Sequence, residues 1–378
     1  MVLCQYGLSV ELGVRTEADG AAGPLIYGVE IKYNGQSLWL LSRFRNFVRN
    51  HEKTIMIKTT LFRFSDIFKE TIWGGQRLLP FKGLQADSRK IGESWELSGV
   101  SGHESVVVGG PYEGLTLTEL IDECGADLLG KDTWLRCGRE FPLLVKFIDA
   151  ADQLSVQVHP DDELARRRHG CLGKTEMWYV VDAAPGSSML DGFSRRITPE
   201  EYERRVADHT LSEVLNRVEV SAGDCYFLPA GRVHSIGAGC FICEIQQSCD
   251  ITYRIYDFGR VDSQGRQREL HVQQAREAIS FAPTTPEQAV PVVPDVPAEL
   301  VRASQFTTTL YRLTEPMTCD YSELDSFVIL VCLKGCCRVT SGRDSVKLTA
   351  GHTLLVAAAA TDVVLAPDGE AELLETYV

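Results

Sequence analysis

Between about residue 90 and residue 260 the chain is a succession of short apolar or alternating segments cut by turns: SVVVGG (105–110), PLLVKFID (142–149), LSVQVHP (154–160) and MWYVVDAAPGS (177–187). Many short strands at this spacing predict a β-sandwich or barrel. Helical spacing is confined to TLTELIDECGADLLG (116–130), TPEEYERRVADHTLSEVLNRV (198–218) and RELHVQQAREAIS (268–280), the second opening on Thr198 as a cap with Pro199 in its first turn. Pro283, Pro286, Pro291, Pro294 and Pro297 exclude helix interiors and central strands, so 283–300 is expected to be a linker. Beyond it, DSFVILVCLKGCCRVTSG returns to β alternation and predicts a smaller β domain at 301–378. Residues 1–55 carry no recognisable chemistry and are expected to be a poorly ordered extension, with Met56 opening a main domain that runs to 282.

A length of 378 residues exceeds what one core usually serves, and 44% hydrophobic residues exclude wholesale disorder. The 38 Lys and Arg against 52 Asp and Glu leave a net charge of −14, which repels phosphate backbones and anionic bilayers, so neither nucleic acid nor a membrane is an expected partner. A small anion remains compatible, because a few cations in a pocket outweigh distant charge. Twelve scattered cysteines read as free thiols in a reducing compartment. With no run of about 18 apolar residues and no basic-then-apolar leader, the expected address is cytoplasmic.

The sharpest chemical signal is GDCYFLPAGRVHSI, where a glycine turn at Gly223, a short strand, a Pro229-x-Gly231 turn and a strand-borne His234 make a small metal-site module. A lone strand histidine is more often structural than a ligand. This spacing, however, resembles the second cupin motif at all four of its positions. In LSVQVHPDDELA, Gln157 and His159 lie two apart and share one face of a strand whose apolar neighbours Leu154, Val156 and Val158 argue for burial. The plainer alternative is a solvent face. A third ligand should be a carboxylate. Glu163 is one candidate, but PDDELARRR looks like a turn entering a helix; Glu176, opening EMWYVV and sharing a face with Lys174, is favoured on strand geometry. Lys146 interrupts the apolar LLVKFID, where burial would lower its pKa into the range useful for proton transfer, unless it snorkels from an edge.

Together, ETIWGGQRL, GESWELSG, PLLVKFIDAADQLSVQVHPDDE, GKTEMWYV, PAGRVHSI and DITYRIYDFGR resemble the type I mannose-6-phosphate isomerases of the cupin superfamily. Only 58 positions (234 − 176) separate Glu176 from His234, which points to the short bacterial form. The resemblance implies a mainly β fold: a metal-bearing jelly-roll barrel with a few short helices and a smaller cupin-like domain without metal. It implies reversible isomerisation of mannose 6-phosphate and fructose 6-phosphate through an enediol, with one zinc ion on Gln157, His159, Glu176 and His234. Arg254 matches the family's active-site arginine, and Lys174, Lys146 and Asp250 are placed with it for acid–base or substrate-binding work, Asp250, four before Arg254, as the carboxylate that orients it or relays a proton. Two rivals are a cupin oxygenase using two histidines and a carboxylate, and a non-catalytic sugar-phosphate-binding cupin. Cys240-x2-Cys243 is set aside as a zinc pair because strand alternation puts the two on opposite faces; His271 and His352 read as structural, and Trp73 and Trp95 as core packing.

Overall fold

The computed structural model describes residues 57–261, 264–285 and 290–378, together with the backbone of three strands nearer the N-terminus. The chain divides into two compact units, Met1–Met56 and Ile57–Val378. In the first, strands Leu8–Arg15, Ile26–Tyr33 and Gln36–Leu40 pair antiparallel in that order. The rest of the expected extension lies outside the described residues.

The second unit is built from three sheets. A five-stranded sheet runs in the order Leu215–Glu219, Ser188–Phe193, His234–Ser235, Val156–Val158, Tyr253–Tyr256. A six-stranded sheet runs Cys225–Leu228, Glu176–Ala183, Cys240–Gln247, Leu143–Asp149, Ile91–Leu97, Ile67–Gly75. An eight-stranded sheet contains the long strands Val328–Ser341 and Asp362–Tyr377 and also the short Leu61–Phe62, so the start of the unit is woven into its end.

Side-chain alternation explains why these sheets stack. Along Leu143–Asp149 every residue is buried, as for a strand covered on both faces. Leu143, Val145 and Phe147 join a core with Phe306, Leu310, Ile329, Val331 and Leu374 of the eight-stranded sheet. Ile148 points the other way, into a core with Trp178, Val180, Ile242, Leu154 and Met189 that fills one end of the barrel between the five- and six-stranded sheets. Lys146 shares that inward face. The outer face of the five-stranded sheet, through Val156, Val158 and Ile255, is covered by Tyr202 and Ala275 of helices Pro199–Ala207 and Val272–Ala278.

The helices are shorter than their patterns. Helix Leu117–Cys124 opens on Thr116 in a reciprocal cap with Glu119, then breaks at Gly125 (φ 51°), and Ala126–Leu129 forms a separate turn. The 198–218 pattern gives helix Pro199–Ala207, capped by Thr198, and ends where His209 takes a left-handed φ of 57°. Its remainder becomes a 3₁₀ turn, Leu211–Val214, and strand Leu215–Glu219, because sheet pairing with Ser188–Phe193 overrides local spacing. The third pattern is helical only over Val272–Ala278. In the proline-rich segment, Thr284 N donates to Phe193 O and Asp295 N to Arg312 O, and strand Ala298–Arg302 is already part of the eight-stranded sheet. No helix among the described residues is long and apolar enough to cross a membrane.

Candidate metal centre and active site

Three neighbouring strands of the five-stranded sheet place Gln157, His234 and Arg254 side by side, with Gln157 in register with both His234 and Arg254. Directly opposed residues share a face, so all three look into the barrel. His159, two beyond Gln157, shares that face. From the six-stranded sheet, strand Glu176–Ala183 brings Glu176 and Trp178 inward, and Glu244 stands in register with Trp178 and with Lys146.

His159, Glu176 and His234 form a buried cluster whose ligand atoms all lie within 4.8 Å of one another. His159 Nε2 is 3.6 Å from Glu176 Oε2, and His234 Nε2 is 3.3 Å from Glu176 Oε1. The Gln157 amide lies 3.3 Å from His234 Nε2 and 3.5 Å from His159 Nε2. Glu163, the competing carboxylate, sits on helix Asp162–His169 with its side chain 90% exposed.

The donor set fits a divalent cation. Each imidazole is anchored through Nδ1, His159 on Ile251 O and His234 on Arg232 O, both at 2.9 Å, which fixes the tautomer and leaves Nε2 as a lone pair facing the cluster. Burial, reinforced by the Lys174 ammonium, pushes both histidines down, His234 to about 3, so both are neutral donors. Glu176 Oε1 is buried without a hydrogen bond, an arrangement natural proteins avoid unless something else satisfies the oxygen. A half-turn of the Gln157 amide turns its oxygen toward the same point.

Beside the cluster opens a cavity of about 290 Å³ lined among others by Trp73, Lys146, Gln157, Lys174, Glu244, Asp250, Thr252, Arg254, Arg268 and His271. Lys174 Nζ is 3.0 Å from Glu176 Oε2 and 3.2 Å from His159 Nε2. Lys146 Nζ lies 3.3 Å from Glu244 Oε1 and 3.7 Å from Glu93 Oε2. Burial opposes ionisation of Glu244, but Lys174 and Lys146 together overcome it and hold its carboxyl below the usual carboxylate range. Glu176, where burial outweighs Lys174, is pushed up to about 7.

Two expectations are corrected here. Lys146 is buried, yet not depressed in pKa: burial acts to lower it, and Glu93 and Glu244 reverse the sign, leaving it raised; Lys174 is raised likewise, by Glu176 and Glu244. Nor does Asp250 orient Arg254. The Arg254 guanidinium donates to Glu269 O at 3.0 Å, its Nε is buried without a hydrogen bond, and Asp250 is an exposed residue of the cavity wall with no ion pair among the described residues. Trp73 and His271 reach the cavity wall rather than serving packing alone. Glu244 and Arg268 are residues that sequence reasoning missed; for Arg268 the helical pattern RELHVQQAREAIS gave no chemical signal. The signal for Glu244 was present, since it is the one charged side chain in the apolar strand CFICEIQQ. That strand also sends Cys240 and Cys243 into different cores.

The two-sheet barrel and its inward-facing cluster define a metal-binding cupin. A family model described as phosphomannose isomerase type I, catalytic domain, matches residues 61–182. A mannose-6-phosphate isomerase of Streptococcus mutans serotype c is 36% identical over 299 residues, covering 78% of this chain and 92% of that protein. The Bacillus subtilis isomerase ManA is 41% identical over 226 residues, 60% of this chain and 69% of its own length. The crystal structure of a mannose 6-phosphate isomerase from B. subtilis superposes with a TM-score of 0.76 at 28% identity, covering 85% of this chain and all of that one (100%). A zinc-bound mannose 6-phosphate isomerase shares the fold, with a TM-score of 0.68 at 16% identity over 84% of this chain and 99% of that one. The chain belongs to the type I phosphomannose isomerase family.

Proposed function

We propose that this chain interconverts mannose 6-phosphate and fructose 6-phosphate, with one zinc ion held by Gln157, His159, Glu176 and His234. The observation that carries the reading is the buried cluster of two neutral imidazoles and one carboxylate opening onto a cationic cavity. Two nitrogens, a carboxylate oxygen and an amide oxygen suit zinc, and the named relatives support the substrate pair. When bound, the ion supplies positive charge beside the reacting sugar oxygens.

The chain's own residues do the rest. Lys146, Lys174, Arg254 and Arg268 outnumber Glu93, Glu244 and Asp250 in the lining of one cavity, so a sugar phosphate finds an excess of one positive charge there on a chain of net charge −14, with Arg254 and Arg268 clear of the lysine–glutamate pairs. Arg268 is fixed there by Asp257, which it meets through Nε at 2.8 Å. Arg254 has a buried N–H with no hydrogen-bond partner among the described residues, and a planar fork suited to an oxyanion. Aldose–ketose exchange moves a proton between adjacent carbons; Lys174 and Lys146, held protonated by their carboxylate partners, stabilise charge developing on the sugar oxygens, while Asp250, on the open wall and without an ion pair among the described residues, is the carboxylate that moves the proton. The β region at 301–378 supports this barrel from behind through the shared core. A cytoplasmic address accords with the free thiols of the described cysteines.

The test is a coupled assay following fructose 6-phosphate formation from mannose 6-phosphate, with and without a chelator, in air and under nitrogen. Turnover that is lost on chelation, restored by zinc and indifferent to oxygen is expected. Absence of turnover in the metal-loaded chain refutes the reading.

A further inference from the structure

Two thiols meet behind the metal centre. Cys171 follows helix Asp162–His169 in the link that leads to Lys174, and Cys249 lies in the turn between strands Cys240–Gln247 and Tyr253–Tyr256. Their sulfurs are 3.8 Å apart across 78 residues of sequence. Cys249 is buried and held: its N–H donates to Gln247 O at 2.7 Å, its carbonyl accepts from Gln246 Nε2 at 2.6 Å, and its Sγ accepts from Ile251 N at 3.4 Å. Cys171 is half-buried and follows Gly170, which has a left-handed φ of +71° and open space around it. The Cys171 side is therefore the one that can yield.

We propose that Cys171 and Cys249 are a redox pair that peroxide closes to a disulfide, latching the turn behind the metal centre to the link that carries Lys174. The Cys171 thiolate attacks hydrogen peroxide, breaking the O–O bond and leaving a sulfenic acid and hydroxide. Cys249 sulfur then attacks the sulfenic sulfur; the S–O bond breaks, the Cys249 proton leaves with the departing oxygen, and water is released. Two thiols are oxidised and one peroxide is reduced to two waters. Cys171 takes the first step because it is the accessible sulfur, whereas burial pushes the Cys249 thiol up to about 12 and suits it to the resolving role. The latch bears on the site because Ile251, two residues from Cys249, holds His159 Nδ1 at 2.9 Å. That consequence rests on the isomerase reading; the thiol chemistry does not.

The experiment treats the reduced full-length chain with equimolar hydrogen peroxide and follows it by peptide mapping without reductant, thiol titration and thermal melting. A Cys171–Cys249 cross-linked peptide, the loss of both thiols and a Tm rise on the order of 5 °C are expected. Dithiothreitol reverses all three, and Cys171→Ser and Cys249→Ser each abolish them. Cys171 carried to sulfinic acid with no cross-link, or the same Tm rise in Cys171→Ser, overturns the proposal. Mannose 6-phosphate turnover by the reduced chain is measured alongside, so failure of the isomerase reading shows there and leaves the thiol result standing.

Discussion

Lys146 and Lys174 stand on either side of Glu244, and each also meets a second carboxylate, Glu93 for Lys146 and Glu176 for Lys174. Five ionised or ionisable groups so close in one wall sustain one another, because removing one leaves its partner charged and unpaired. Glu176→Gln keeps the shape of the site but removes the ligand charge; metal content measured by atomic absorption is expected to fall with affinity lowered more than about 100-fold, beyond the range for outer-shell partners. Arg254→Ala touches no ligand. It is expected to retain metal while kcat/KM falls on the order of 10²–10³-fold, and Arg254→Lys should recover little, since an ammonium lacks the planar fork. Full turnover in either Arg254 variant would remove that residue from the chemistry. At this scale much of the site was legible: Gln157 with His159 by period-two spacing, and Glu176 over Glu163 because a helix carries the latter out to solvent. The sign of the Lys146 shift was not, because it depends on Glu93 and Glu244, partners on other strands.

At the level of single elements, local signals marked where segments begin better than where they end. Thr198 caps its helix as its position predicts, the structure adds a second cap at Thr116, and Thr116→Ala is expected to cost about 1 kcal/mol in urea denaturation through loss of its bond to Glu119 N. The 198–218 pattern overran its helix because strand Leu215–Glu219 has a sheet edge to join. Gly75 shows close approach within a strand: a Cβ there would lie 2.0 Å from Asp149 Oδ2, a buried carboxylate that also accepts from Arg77 N and pairs with Arg77 Nε, each at 2.7 Å. Gly75→Ala is therefore expected to destabilise by about 2–3 kcal/mol, read as a lower urea midpoint at unchanged slope. No change in midpoint would show that Asp149 moves freely.

Across the whole unit, the region 301–378 is part of the core that carries the site. Truncation after residue 300 would remove Phe306, Leu310, Phe327, Ile329, Val331, Leu333, Leu355 and Leu374 from the core they share with the six-stranded sheet, a loss on the order of 10 kcal/mol or more, comparable to a domain's entire stability. The truncated chain is expected to be unfolded by circular dichroism; a folded, active product would refute this. A buried ionic tie crosses the same boundary. Lys82 Nζ meets Glu96 Oε2 at 2.7 Å and Asp66 Oδ1 at 3.0 Å and donates to Gly351 O. Burial pushes Glu96 up to about 7, with Lys82 opposing and Asp66 adding to the rise. Between its ordinary range and pH 7 the folded chain keeps a proton that the unfolded chain releases, so this group's contribution is greatest at low pH and is lost as pH rises toward 7. Glu96→Gln should flatten stability against pH across that window by up to about 3 kcal/mol; an unchanged slope would mean that Glu96 stays ionised there.

From the sequence by itself came the β class, the strand-borne ligand candidates and the family, because side-chain period, turn residues and motif spacing are local properties of the chain. The tertiary structure alone decided that Glu244 joins both lysines, that Arg254 rests on Glu269 O rather than Asp250, that two thiols far apart in sequence touch, and that the C-terminal strands share a core with the barrel. Each of these is a contact between segments distant along the chain, and register and burial, which set such contacts, exist only once the sheets have stacked.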